Sequence, residues 1–265
     1  MIVTFDKEIL SAAVTPAMSA VSNKNTITSI EGICITAEAD GTCILNSFDL
    51  EKGIRCTLRG RVEEPGSYII NGQKLNQIIR SMPEDIRIEV GDTMRAKITS
   101  GKSEFTINAM PGEEFPNMPS LDGDWGFTMP QSELRDAMTK TLYAVANNEP
   151  RPALNGIFFR IRDNRLTLVS SDSFRLAISE KEMRFENNIT EDDLDVAIIV
   201  PGKTAAELLK MLHDDNSPVA IRATGKHIMF TMDNICFFSR LIDAEYVNYE
   251  KVYSQDAGDL RFPAV

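Results

Sequence analysis

The strongest constraint on this chain is that its second half repeats the order of its first. In the first half, Ile9, Leu10, Ala13, Val14, Ala17, Met18 and Val21 recur at the spacing of one helical face. Strand-like runs follow at about 27–37, 41–47 and 52–60, the first two parted by Ala39-Asp40-Gly41. A second helix is expected over about 71–82, with Leu75, Ile78, Ile79 and Met82 inward and Pro83 as its stop. Strands at about 86–91, 94–99 and 104–109 complete the half. The second half predicts a helix over about 131–147, with Leu134, Ala137, Met138, Leu142 and Val145 on one side. Strands near 155–162 and 165–170 flank an Asp163-Asn164 turn. A strand at 194–200 then leads into a helix near 203–213, with Ala205, Leu208, Leu209 and Leu212 inward, and strands near 217–223, 228–232 and 236–241 follow.

Short matches lock the two halves together. Gly32-Ile33-Cys34-Ile35 matches Gly156-Ile157-Phe158-Phe159, and Asn46-Ser47-Phe48-Asp49 matches Val169-Ser170-Ser171-Asp172. Asn71-Gly72-Gln73-Lys74 matches Pro201-Gly202-Lys203-Thr204, and Glu114-Phe115-Pro116-Asn117 matches Glu245-Tyr246-Val247-Asn248. The offsets run only from 123 to 131, the drift expected of loop insertions. The pattern is α+β: tandem domains, each with two helices packed on antiparallel sheets. The 265 residues suit two domains, placed at 1–123 and 124–250, with 251–265 as a connector. The proline-bearing segment 111–126 is the expected extended link between them.

The chemistry is bland. Cys34, Cys43, Cys56 and Cys236 sit in apolar runs without CxxC spacing, so they are expected to be small buried hydrophobes in a reducing compartment. His213 and His227 lack partners at ligand spacing, and no GxxxxGK[ST], GxGxxG or GxSxG motif occurs. No metal, cofactor or catalytic residue is expected. Asp49 and Asp172 are repeat-equivalent acids, expected to serve each strand turn rather than a carboxylate pair. Asp214-Asp215 and Glu191-Asp192-Asp193 are expected to be solvated turns. No run reaches the ~20 apolar residues of a membrane helix, and the N-terminus lacks a signal-peptide layout. A cytoplasmic protein is expected.

Net charge is −11, which argues against a chain that simply coats nucleic acid. The charge is uneven, however. The four helical segments sum to +3, with Lys74 and Arg80 unopposed by acid on the second helix, and the remainder carries −14. On charge alone, solvated helix faces explain this as well as a phosphate-facing surface does.

Beyond the repeat, the residues resemble a known family. Arg151-Pro152-Ala153-Leu154-Asn155-Gly156-Ile157-Phe158-Phe159, followed by Ser171-Asp172-Ser173-Phe174-Arg175-Leu176-Ala177, resembles the second domain of the bacterial sliding clamps, the beta subunits of DNA polymerase III. Ile199-Val200-Pro201-Gly202-Lys203, Glu207-Leu208-Leu209-Lys210-Met211-Leu212 and Phe238-Ser239-Arg240-Leu241-Ile242-Asp243 continue the match. Ser47-Phe48-Asp49-Leu50-Glu51 and Phe115-Pro116-Asn117-Met118 resemble the first domain's motifs, so the resemblance spans 1–253.

The resemblance implies a non-catalytic ring whose helices line a hole threaded by duplex DNA, tethering the replicative polymerase at high effective concentration. It implies as partners DNA without sequence preference, the polymerase, the clamp loader and other clamp-binding proteins. DNA contacts are expected at Lys24, Lys74, Arg80, Arg135, Lys140, Asn148, Lys203 and Lys210. Pro152 and Ala153 replace residues that are often aromatic in the family. A client-peptide pocket is expected at Leu154, Ser171, Ser173, Phe174, Arg175, Leu176, Val247 and Val252. Leu154, Leu176, Val247 and Val252 would form its apolar floor, with Arg175 at the rim. Ser173 stands where glycine is usual, Phe174 where histidine is common and Val247 where proline is common. Family chains carry three such domains and close as pairs. A truncated version, monomeric by itself, is therefore expected, with a two-domain clamp closing as a trimer and an acidic protein-binding adaptor as the alternatives.

Overall fold

The computed structural model describes residues 1–22, 27–119, 125–162, 164–182 and 195–252, apart from the side chains of Trp125 and Val252. The chain runs β1 (Ile2–Phe5), α1 (Lys7–Ala17), β2 (Gly32–Ala37), β3 (Thr42–Phe48), β4 (Lys52–Arg59), β5 (Arg61–Glu64), β6 (Gly66–Asn71), α2 (Gly72–Ser81), β7 (Ile86–Val90), β8 (Arg95–Ser100) and β9 (Ser103–Pro111). It continues through β10 (Trp125–Pro130), α3 (Gln131–Leu142), β11 (Gly156–Arg162), β12 (Arg165–Ser171), β13 (Leu176–Glu182), β14 (Val196–Pro201), α4 (Gly202–Met211), β15 (Pro218–Ala223), β16 (His227–Met232), β17 (Ile235–Arg240) and the single turn α5 (Tyr249–Val252).

Packing divides the chain into two compact units. One joins Met1–Ser132 with Lys210–Arg240; the other joins Glu133–Leu209 with the segment that starts at Leu241. The first holds a 13-stranded sheet, ordered β10-β15-β16-β17-β4-β3-β2-β6-β9-β8-β7-β1-β5. Thus β10 and β15–β17, which belong to the second repeat by sequence, pair into the sheet of the first. The joint is β17 on β4, antiparallel, with Phe237 opposite Ile54. The second unit holds a four-stranded antiparallel sheet, β13-β12-β11-β14.

The helices form where cap and periodicity agree. The Asp6 carboxylate accepts from the N–H groups of Glu8 (2.8 Å) and Ile9 (3.0 Å), which starts α1. Leu10, Ala13, Val14 and Ala17 are buried against the sheet, whereas Ile9, expected on that face, is 48% exposed. Asn71 caps α2 by accepting from the Lys74 N–H (3.1 Å), and Leu75, Ile78 and Ile79 are buried below it. In the second unit Leu134, Ala137 and Met138 of α3 are fully buried, as are Ala205 and Leu208 of α4.

Two expectations are corrected. The helix expected to 147 ends at Leu142, because Ala144 and Val145 bond back three residues and the Ala146 N–H leaves to donate to the Leu154 carbonyl (3.0 Å). The strand expected from 27 begins at Gly32, after a 3-10 turn over Thr28–Glu31. Strands β1, β5, β6, β10 and β13 were not legible as separate runs. The acids at 191–193, the tail from Ser254 and Asp163 lie outside the described residues.

The repeat is visible atom by atom at two glycines. A methyl group on Gly32 would stand 2.3 Å from Ile69 Cγ2; on Gly156 it would stand 2.5 Å from the Val200 carbonyl and 2.7 Å from Ile199 Cγ2. Equivalent strands approach too closely in both halves for any side chain.

Candidate functional site

The expected DNA-contacting residues map onto helix surfaces, taken one unit at a time. Lys74 and Arg80 project from α2 of the first unit; both are exposed and neither has an ion-pair partner among the described residues. Lys210, counted with the first unit, is exposed at the end of α4. In the second unit Lys203 is exposed at the start of α4 without an ion pair among the described residues. Arg135 is half-buried and donates to the Leu209 carbonyl at 3.5 Å. Lys140 pairs with the Asp136 carboxylate at 2.8 Å, and Lys181 holds the same carboxylate at 2.7 Å. Those two bonds pull the Asp136 carboxyl below its usual range, Lys140 first. Asn148 is exposed in the loop after α3, with φ of 56°. Lys24 lies outside the described residues.

The expected pocket residues gather around the β12–β13 turn. The Asp172 carboxylate accepts from the N–H groups of Phe174 and Arg175, both at 3.1 Å, and from Arg175 Nε at 2.9 Å. The Phe174 N–H is the leading cause that holds its pKa down. Asp49 makes the equivalent bonds in the other half, accepting from Glu51 (3.0 Å) and Lys52 (2.8 Å) N–H groups and pairing with Lys52 Nζ (3.1 Å). Leu50 and Ser173, one residue beyond each acid, share a left-handed φ of 77°. Both acids therefore shape turns.

Arg175 is spanned between groups. Its second guanidinium nitrogen donates to the Tyr143 carbonyl (2.8 Å), and its Cζ lies 5.3 Å from the centre of the Tyr143 ring. Ser171 Oγ donates to the Arg175 carbonyl at 2.8 Å, and Arg151 reaches Ser173 Oγ. The Phe174 ring stands in solvent, 98% exposed.

Leu154, expected in the apolar floor, is 1% exposed. Leu176 instead packs with Ile178, Ile242, Tyr246 and Tyr249 against a buried cluster of Ala153, Phe158, Val169 and Ile199. The Tyr246 ring stacks on Phe158 at 4.8 Å and its hydroxyl donates to the Val169 carbonyl at 3.3 Å. Burial pushes that phenol up to about 12. The Ile242 N–H donates to the Ile199 carbonyl (2.9 Å), and Arg160 joins Glu250 at 3.4 Å, so the segment after β17 is held on the sheet. Val247 is half-buried on this segment, and the side chain of Val252 lies outside the described residues. Tyr246, Tyr249 and Ile178 were missed from sequence. The alternation Leu176-Ala177-Ile178 was the available signal for Ile178, and the repeat match at Glu245-Tyr246-Val247-Asn248 that for Tyr246.

Cys56 and Cys43 have thiols pushed up to about 12 and about 11 by burial, and all four cysteines are free. No group of His, Cys, Asp and Glu among the described residues is arranged to hold a metal, and no described helix is long and apolar enough to cross a membrane.

These features meet a clear set of relatives. A model of the DNA polymerase III beta subunit N-terminal domain matches residues 1–119, and one of its central domain matches residues 128–248. The beta sliding clamp of Halalkalibacterium halodurans is 33% identical over 252 residues, 91% of this chain and 65% of that protein. That of Bacillus subtilis is 29% identical over 264 residues, 96% of this chain and 68% of that protein. Among solved structures, the sliding clamp from Bacillus subtilis matches with a TM-score of 0.90 at 29% identity, covering 97% of this chain and 68% of that one. A Pseudomonas aeruginosa sliding clamp bound to griselimycin matches with a TM-score of 0.89 at 26% identity, covering 96% and 68%. The chain thus spans about two thirds of the length of these relatives. With its repeat, its sheets and both domain models in register, the chain belongs to the bacterial DNA polymerase III beta-subunit family, the beta sliding clamps.

Proposed function

We propose that this chain works as a DNA sliding clamp, a non-catalytic processivity factor that encircles duplex DNA and tethers the replicative polymerase. The carrying observation is the α2 surface. Lys74 and Arg80 stand exposed and unpaired among the described residues, on a helix without acid, in a chain of net charge −11. Such a surface suits phosphate contacts that ignore sequence, which is what sliding needs. Arg135, Asn148, Lys203, Lys210 and, from family likeness, Lys24 extend the contact set; Lys140 joins it from a cluster in which Lys140 and Lys181 share the one Asp136 carboxylate.

Within this reading the functional domains are 1–123 and 124–250, with 251–265 as a connector. The client pocket centres on Leu176, Arg175, Phe174, Ser173, Ser171 and Val247, with Val252 beside them. Its partners are the polymerase, the clamp loader and other clamp-binding proteins in the cytoplasm, and full-length family chains close as homodimeric rings.

The test combines affinity and topology. Lys74→Glu with Arg80→Glu should weaken binding to a short fluorescent duplex and make the salt dependence shallower by about 1.8 in log–log slope. Protein retained on a nicked circular plasmid should be released when the plasmid is linearised. Unchanged affinity and slope in a variant with native circular dichroism would remove α2 from the DNA surface. Equal retention on circle and line would remove encirclement.

A further inference from the structure

A charge cluster that neither the DNA surface nor the turn acids use lies under the segment after β17. Its centre is Arg160 of β11. Residues two apart on a strand share a face, so Arg160 stands on the same side as Phe158. Phe158 has Val169 and Ile199 as cross-strand neighbours; Arg160 has Thr167 and Ala197. This face of the sheet therefore carries an apolar row beside a polar row centred on Arg160.

The segment after β17 meets both rows. Tyr246 stacks on Phe158 at 4.8 Å, and Tyr249 tilts over the same ring at 6.0 Å. The next residue, Glu250, accepts from Arg160 Nη1 at 3.4 Å, and the same guanidinium meets the Tyr249 hydroxyl. The far side of the guanidinium is forked on Asp195, with Nε to Oδ1 at 3.2 Å and Nη2 to Oδ2 at 3.1 Å. A two-point fork fixes the plane of the guanidinium, and so the direction in which Nη1 points. Arg160 thus joins the residue before β14 to the first two residues of α5.

A single turn such as α5 cannot support itself, because fixing its backbone gains very few hydrogen bonds. Asn248 caps it by accepting from the Lys251 N–H (3.2 Å), and the contacts of Tyr249 and Glu250 supply the rest. Stacked rings set the depth of the segment on the sheet but tolerate sliding along it. Charged hydrogen bonds are directional and resist sliding. Val247 and Val252, both proposed for the client pocket, bracket the anchored residues.

We infer that Arg160 is a positioning residue of the client pocket. It sets where the turn Tyr249–Val252 sits along β11, and through that turn the placing of Val247 and Val252 beside Leu176. The inference rests on the clamp reading of the pocket and gives Arg160 no contact with the client itself.

The test reads the turn and the pocket separately, in the whole chain carrying Glu250→Gln, Arg160→Met or both. Tryptic cleavage after Lys251, followed by mass spectrometry, reports opening of the turn. Fluorescence anisotropy of a labelled clamp-binding peptide of the replicative polymerase reports the pocket. Each single variant should speed cleavage and weaken peptide binding about three- to fivefold, as suits one partly exposed ion pair, with affinity for a short duplex unchanged. The double variant should be no weaker than Arg160→Met, because both changes cut one link. Arg160→Lys keeps the charge without the fork and should recover only part of the loss. Glu250→Gln that cleaves and binds as wild type does, or faster cleavage with full peptide affinity, overturns this inference alone. A wild-type chain that binds no peptide overturns the pocket reading and this inference together.

Discussion

Replacing Tyr246 with alanine removes the ring that holds the segment after β17 against the sheet of the second unit. Truncating a fully buried aromatic side chain costs about 3–5 kcal/mol. Tyr246 is half-buried, so about half to two thirds of that is expected from lost burial and cavity together. The total includes the stacked contact with Phe158 at 4.8 Å, about 0.5–1.5 kcal/mol, and the hydroxyl bond to Val169, about 1 kcal/mol. Tyr246→Ala should therefore destabilise the second unit by about 1.5–3 kcal/mol, and Tyr246→Phe by about 1 kcal/mol. Urea unfolding followed by circular dichroism measures both. The phenol adds a pH signature. Its folded pKa is raised from 10.0 to about 12 because burial disfavours the phenolate. The fold thus prefers the neutral form, and this preference is fully present below pH 10 and is lost as pH rises towards 12. The stability of wild type relative to Tyr246→Phe should fall across that window. An alanine variant within about 0.5 kcal/mol of wild type would refute the packing argument, that being the usual range for an unremarkable surface site. Parallel loss of stability by wild type and Tyr246→Phe would refute the assigned burial of the hydroxyl.

Two further outcomes are expected. Leu176→Asp places a charge against Phe158, Val169 and Ile199 and should abolish capture of clamp-binding peptides; tight binding measured by calorimetry would sink the pocket assignment. Asp172→Ala removes the acceptor of two backbone N–H groups and frees Arg175, and should lower the melting temperature, with Asp172→Asn intermediate. Equal melting temperatures for all three proteins would leave the turn without its proposed support.

Much of the fold was legible because its signals are local. The α2 face of Leu75, Ile78, Ile79 and Met82 is complete in the sequence, and all four are buried. Asp49 and Asp172 were readable as turn residues because a short acid bonds to N–H groups two and three residues ahead. The site was less legible. Leu154 and Leu176 look alike in sequence, yet one is sealed in the core and the other packs beside the segment that carries Tyr246. Burial depends on what arrives from 77 residues away, as Tyr246 does over Val169.

The sequence by itself determined the repeat, the helix faces, the turn acids and the family, since each rests on residue type at short spacing. Tertiary structure decided where helix α3 stops, which apolar residues retain a face, and which strands meet. The alternation that makes β17 a strand suits any open edge; only the folded chain selects β4, because closing Phe237 against Ile54 is a long-range event. The same physics leaves Phe105 partly exposed on β9, paired with Ile98 of β8 on one side only among the described residues.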